Sequence, residues 1–119
     1  MVSKRSVALF LPSLRGGGAE KVMLILANAF AQRDIQVDLV LVQEVGPYLG
    51  QLSDKVNLVD LQARSTIRSL PALLRYLKSA KPSALLSAQG HANLVAIWAN
   101  KISRHPFRLV IAHHNNVSE

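Results

Sequence analysis

The chain has 119 residues, half of them apolar, with a mean hydropathy of +0.21, no cysteine and a formal charge of +7. This composition supports one buried core and excludes a disordered chain, a disulfide framework, a thiolate metal site and a cysteine nucleophile. No apolar run approaches the roughly 20 residues of a membrane span, and Pro12 and Arg15 cut short the run behind Lys4 and Arg5, so neither a span nor a signal peptide is expected.

The elements follow in order. Residues 7–11 form a continuous apolar run, as in a strand covered on both faces. After a glycine run, residues 19–33 repeat apolar side chains at helical spacing, with Val22, Ile25, Leu26, Ala29 and Phe30 as the core face and Lys21, Asn28 and Gln32 opposite. A second buried strand is predicted at 37–42, a loop at Gly46-Pro47 and Gly50, and a short third strand at 56–61. Residues 69–80 read as a helix with Ser69 as N-cap, Pro71 in its first turn and Lys81-Pro82 at its end. A fourth strand is predicted at 84–87, then a helix at 91–102 burying Leu94, Val95, Trp98 and Ile102, and a last strand at 108–112 behind Pro106.

This order predicts an α/β, Rossmann-like three-layer domain with a mainly parallel five-stranded sheet in the order 3-2-1-4-5. Ligands of such sheets bind at the carboxyl ends of the strands, near the switch between strands 1 and 4. That rim would gather residues 13–18, 43–50, 89–91 and 113–116.

The charge is uneven. Residues 1–60 hold six bases against six acids, whereas residues 61–119 hold eight bases against Glu119 alone, so the second half carries the whole excess. Such a half suits a phosphate-rich surface, nucleic acid or anionic lipid, or else a solvated basic face. On a helical wheel Arg64, Arg68, Arg75 and Lys78 oppose Ile67, Leu70, Leu73, Leu74 and Leu77, but Pro71 leaves only Arg75 and Lys78 secure on an outer face that could meet a membrane surface.

Gly16, Gly17 and Gly18 stand where the first strand hands over to the first helix. Glycines there let backbone N–H groups and the helix N-terminus approach an anion, although a glycine run also serves as a plain turn. The run is not a P-loop, having no Gly-Lys-Ser or Gly-Lys-Thr. A dinucleotide fingerprint would need glycine in place of Lys21 and a firmer ribose carboxylate than Glu44. A response-regulator-like site would need a carboxylate where Leu11-Pro12 stands.

The chain resembles the N-terminal domain of retaining glycosyltransferases of family 4, of GT-B architecture. The likeness is carried by Leu11-Pro12-Ser13-Leu14, by Gly16-Gly17-Gly18-Ala19-Glu20 and by the helix at 22–30. It continues through the helix at 69–78 with Lys81-Pro82, through His91-Ala92-Asn93-Leu94, and through residues 109–115. It spans essentially the whole chain, and Gly-Gly-Ala-Glu in this setting is its most specific piece.

The resemblance implies two Rossmann-like domains facing across a cleft, with residues 1–119 as the truncated acceptor-side domain. The C-terminal domain, which would bind most of the nucleotide-sugar and carry the paired-glutamate motif, is absent from the chain. It implies an enzyme, a hexosyltransferase type of glycosyltransferase, moving sugar with retention from a nucleotide-sugar to a cell-envelope glycan or glycolipid in polysaccharide biosynthesis. The fragment alone is expected to be inactive. No cofactor is implied, and the expected location is cytoplasmic, peripheral on the cytoplasmic membrane face.

By the same resemblance Arg15, Gly16, Gly17 and Gly18 would meet a donor diphosphate or acceptor phosphate. His91 would lie over the reacting sugar or else simply open a helix. Glu20 is either a carboxylate compensating the helix dipole or a catalytic group, the first being favoured. His113 and His114 point to opposite faces if they lie on a strand, which disfavours a shared metal, and one of them with Asn115 would face the acceptor cleft. The Asn116-Val117-Ser118 sequon reads as chance. Two other classes stay open: a dinucleotide-binding Rossmann domain of an oxidoreductase, and a basic nucleic-acid-binding domain, the latter poor in aromatics for stacking at five percent. A truncated sheet with an uncovered apolar face would also permit a dimer.

Overall fold

The computed structural model describes residues 6–13, 18–43, 46–88, 90–103 and 107–111. Its strands are β1 (Ser6–Leu11), β2 (Gln36–Leu41), β3 (Val56–Asp60), β4 (Ala84–Ser87) and β5 (Arg108–Ile111). The helices are α1 (Gly18–Gln32), α2 (Leu70–Ala80) and α3 (Gly90–Ile102). All four strand pairings are parallel and the order is β3-β2-β1-β4-β5, the α/β, Rossmann-like arrangement expected from the sequence. Central β1 pairs with β2 over its whole length, from Ser6 beside Gln36 to Leu11 beside Leu41.

The apolar continuity of β1 follows from its two covered faces. Ala8 and Phe10 join Val40, Leu73, Leu77 and Val95 in the core under α2 and α3. Leu9 and Leu11 join Met23, Ala27, Leu39 and Leu41 in the core under α1. Leu9, Phe10 and Leu11 are wholly buried, each stabilising the fold by about 1.5 to 3 kcal/mol relative to exposure.

Helix α1 turns a different face inward from the one expected. Met23, Leu24, Ala27 and Ala31 are buried, while Leu26 and Phe30 are partly so, and Val22 and Ile25 are 50 and 57 % exposed with Ala29 also outward. The helix is apolar nearly all round, so periodicity alone does not select its face. The small Ala27 and Ala31 let its backbone approach the sheet. The same physics corrects α3, where Ala92, Val95, Ala96 and Ala99 are buried, whereas Leu94, Trp98 and Ile102 are exposed.

Asn28, expected outward, holds a clamp. Its amide donates to Gln51 O at 3.0 Å and its oxygen accepts from Ser53 N–H at 2.8 Å. The clamp fixes a 3-10 turn, Pro47–Gln51, in what reads from sequence as plain loop, and Tyr48, Leu49 and Leu52 pack from it against the α1-side core. Gly46 opens this turn at φ 125°, a conformation that requires glycine.

Helix α1 ends in a Schellman turn: Ile35 N–H donates to Phe30 O, Asp34 N–H to Ala31 O, and Asp34 takes φ 67°. Helix α2 ends in the simpler left-handed cap, with Lys81 at φ 48° and its N–H on Leu77 O at 2.9 Å, and Pro82 behind it has no N–H to make a Schellman bond. At its start the expected cap is corrected. Ser69 has no side-chain cap bond and its hydroxyl donates to Thr66 O at 2.5 Å, inside a 3-10 turn, Ile67–Ser69. Ser65 caps instead, its Oγ accepting from Arg68 N–H at 3.2 Å.

Candidate functional site

The carboxyl ends of β1, β2 and β3 are laced beyond the strands themselves. Val42 N–H donates to Leu11 O at 3.0 Å and Gln43 N–H to Pro12 O at 3.1 Å. Leu61 N–H reaches Leu41 O at 2.8 Å, Ala63 N–H reaches Val42 O at 3.1 Å, and the Gln43 side-chain amide donates to Ala63 O at 3.0 Å. These bonds hold the three strand exits as one rigid rim.

A cavity of about 130 Å³ opens in that rim, lined by Pro12, Ser13, Val42, Gln43, Arg64, Ser65 and Thr66. Ser13 is buried and Arg64 exposed, so the lining joins a cationic side chain to the polar Ser13, Gln43 and Thr66 beside the helical start that Ser65 caps. An anion fits this chemistry: one full positive charge, hydroxyl donors, and the positive end of a helix dipole. A larger depression of about 360 Å³ lies at the opposite end of the sheet, between the turn that ends α1 and the start of β2. Its walls are Ala31, Asp34 and Ile35 from the helix-ending turn, Gln36 at the start of β2 and Lys55 just before β3.

The expected site residues distribute as follows. Gly18 is the first residue of α1 and exposed, and a Cβ placed on it would meet nothing within 4 Å. Glu20 lies in the first turn of α1, as the dipole reading requires, but is 7 % exposed and so buried rather than solvated. His91 sits exposed in the first turn of α3, just beyond the carboxyl end of β4. Arg75 and Lys78 are exposed on α2. Arg15, Gly16, Gly17, His113, His114, Asn115 and the Asn116 sequon lie outside the described residues.

Two buried polar atoms, Ser87 Oγ and Asn93 Oδ1, have no hydrogen-bond partner among the described residues. Both belong to the β4–α3 junction, where Ser87 ends β4 beside Phe10 of β1 and Asn93 closes the first turn of α3. This is the switch point, where β1 has neighbours reached by crossovers of opposite direction and where sheets of this order take their ligands. A buried polar atom is costly in a fold unless a partner reaches it.

Arg64, Ser65 and Thr66 were not among the expected site residues. The basic periodicity assigned Arg64 to a helix face, whereas it stands ahead of the 3-10 turn and lines the rim. The signal that finds it is topological: the loop leaving β3 must cross the same carboxyl edge as the loops leaving β1 and β2.

No helix among the described residues is long and apolar enough to cross a membrane. No protein-family model matches the chain, and no curated protein matches it in sequence.

Proposed function

We propose that the chain is the acceptor-side, Rossmann-like domain of a retaining family 4 glycosyltransferase, whose whole protein transfers sugar from a nucleotide-sugar to a cell-envelope glycan or glycolipid. The observation that carries this reading is Gly18. Space for a Cβ is open there, so packing gives no reason for glycine where β1 hands over to α1. Close approach of a diphosphate to the backbone gives one. The rim at the carboxyl ends of β1, β2 and β3 adds Arg64 and the helical start that Ser65 caps, and the switch point adds two buried polar atoms without a partner among the described residues.

In this reading Arg15 and Gly16 to Gly18 meet phosphate oxygens, His91 stands toward the sugar, and His113, His114 and Asn115 face the acceptor. Glu20 compensates the dipole of α1. Arg75 and Lys78 meet an anionic membrane surface on the cytoplasmic side.

Calorimetric titration with inorganic pyrophosphate and with a nucleoside diphosphate sugar, on wild type and Gly18→Ala, tests the assignment. The substitution is compatible with the fold, so the melting temperature stays level while affinity drops about tenfold or more. Equal affinity in the two proteins would falsify the role given to the glycine run. Tight binding of NAD would move the assignment to the oxidoreductase class, and steeply salt-dependent binding of single-stranded nucleic acid would move it to the third.

A further inference from the structure

Strand β3 stands at one margin of the sheet and, among the described residues, pairs with β2 alone. Leu61 N–H donates to Leu41 O, and successive residues of a parallel ladder turn their backbone groups to opposite sides, so Asn57 and Val59 also bond β2. Leu58 and Asp60 then turn N–H and C=O outward. Val56 N–H is taken by Ser53 O at 3.1 Å, whereas the four groups of Leu58 and Asp60 have no backbone partner outside the sheet among the described residues.

Sheet margins are usually blunted by lysine, proline or a bulge, and Val56–Asp60 has none of these in its unbroken register with β2. At the other margin β5 has four residues and begins with the exposed Arg108.

Beside the β3 edge a depression of about 330 Å³ separates β3 from α2. Val59, Leu61 and Ala72 supply its apolar lining, and Arg75, Tyr76 and Ser79 follow Ala72 at the spacing of one helix face. Tyr76 is fixed by its bond to Asp38. Asp60 also lines the depression but returns one carboxylate oxygen to Gln62 N–H at 2.8 Å, so the exposed Arg75 is the charge most open to a ligand.

We propose that the β3 edge and this depression receive an extended segment of a partner protein as an added strand. The segment carries an apolar residue and, two positions along, a carboxylate. Leu58 and Asp60 bond its backbone, its apolar side chain covers Val59, Leu61 and Ala72, and its carboxylate meets Arg75. Alternate residues of a strand share a face, which sets the two-residue spacing. A second copy fits less well: a two-fold joining β3 to β3 would set α2 beside its own image, and residues 70–80 hold Arg75 and Lys78 with no acid. Sugar transfer plays no part in the inference. Arg75 is shared with the membrane contact of the functional reading, so the test contains no lipid.

The probe is a fluorescein-labelled hexapeptide in which valine and glutamate alternate with threonine, titrated against the whole chain by fluorescence anisotropy. Saturable binding is expected, with amide exchange at Leu58 and Asp60 slowed about tenfold or more while Asn57 and Val59, already bonded to β2, stay unchanged. Proline at a central position of the peptide removes a donor and weakens binding by about fivefold or more. Arg75→Glu weakens the glutamate peptide by about fivefold and restores binding when lysine replaces glutamate; the side chain is exposed, so the melting point holds. The proposal is overturned if the peptide does not saturate by about 1 mM, or if it binds without protecting Leu58 and Asp60. It is also overturned if those two amides are already protected in the chain alone and their protection tracks a dimer in sedimentation. Loss of peptide binding with pyrophosphate binding retained rejects the β3 site alone, and the reverse pattern rejects the phosphate site alone.

Discussion

The Tyr76 hydroxyl donates to Asp38 Oδ2 at 2.5 Å, tying α2 to β2 across the sheet interface while Asn57 Nδ2 donates to Asp38 Oδ1 at 3.2 Å. Asp38 is buried, so its carboxyl depends on these donors in place of water. Burial, with the hydrogen bond and the charge of Asp38, pushes the Tyr76 phenol far above its ordinary range.

An alkaline limit to stability follows. The folded state holds the phenolic proton more tightly than the unfolded chain, so this stabilisation is complete below the ordinary tyrosine value of about 10 and drains away as pH climbs past it. Melting curves from pH 7 to 11 should decline steeply in that upper range for wild type and less so for Tyr76→Phe. At neutral pH the substitution costs about 1 to 3 kcal/mol, because Asp38 Oδ2 loses its donor. Parallel curves for the two proteins would refute the assignment.

Asn28→Ala removes both bonds that fasten the Pro47–Gln51 turn to α1. A stability loss of about 1 to 3 kcal/mol in urea unfolding is expected. Amide exchange should quicken at Leu52 and Ser53 well before it quickens in β1. A variant as stable as wild type would show that the packing of Tyr48 and Leu49 alone holds the turn.

Lys81→Gly acts in the other direction. Lys81 is exposed and left-handed at the end of α2, where a side chain costs about 1 kcal/mol and glycine does not. Thermal unfolding should therefore shift upward by a few degrees.

Ser87→Ala deletes a hydroxyl that is wholly buried and makes no hydrogen bond among the described residues. Equilibrium unfolding should show no loss, or a gain of about 1 kcal/mol, since an unsatisfied polar atom leaves the interior. A loss approaching that of Asn28→Ala would mean that Ser87 does have a partner.

Arg64→Ala separates rim chemistry from fold. Its side chain is exposed, so the melting point should hold, while pyrophosphate affinity falls about threefold to tenfold through loss of one charge-assisted contact. Unchanged affinity would place the anion elsewhere on the rim.

The strands were legible because β1 and β2 are covered on both faces, which leaves unbroken apolar runs, and because glycine and proline punctuate the exits. The order 3-2-1-4-5 was legible because parallel strands need crossovers of fixed hand, which leaves few ways to wind these elements. The places of Gly18 and His91, in the first turns of α1 and α3, were legible because both follow strands whose carboxyl ends must share an edge. Ser65 was not, since Ser69 has the same chemistry one helical turn later and only the 3-10 turn between them decides which hydroxyl finds a free N–H.

By itself, then, the sequence determined the element order, the sheet topology and the concentration of positive charge in the second half. Tertiary structure alone decided which way the helices face. In α1 and α3 apolar residues surround most of the helix, so hydrophobicity is nearly indifferent to rotation and close approach settles it: alanine reaches the sheet, and Ile25, Leu94 and Trp98 turn out. Only the fold, likewise, brought Arg64 to Ser13 and Gln43, residues far apart in the chain that meet because three parallel strands end on one edge.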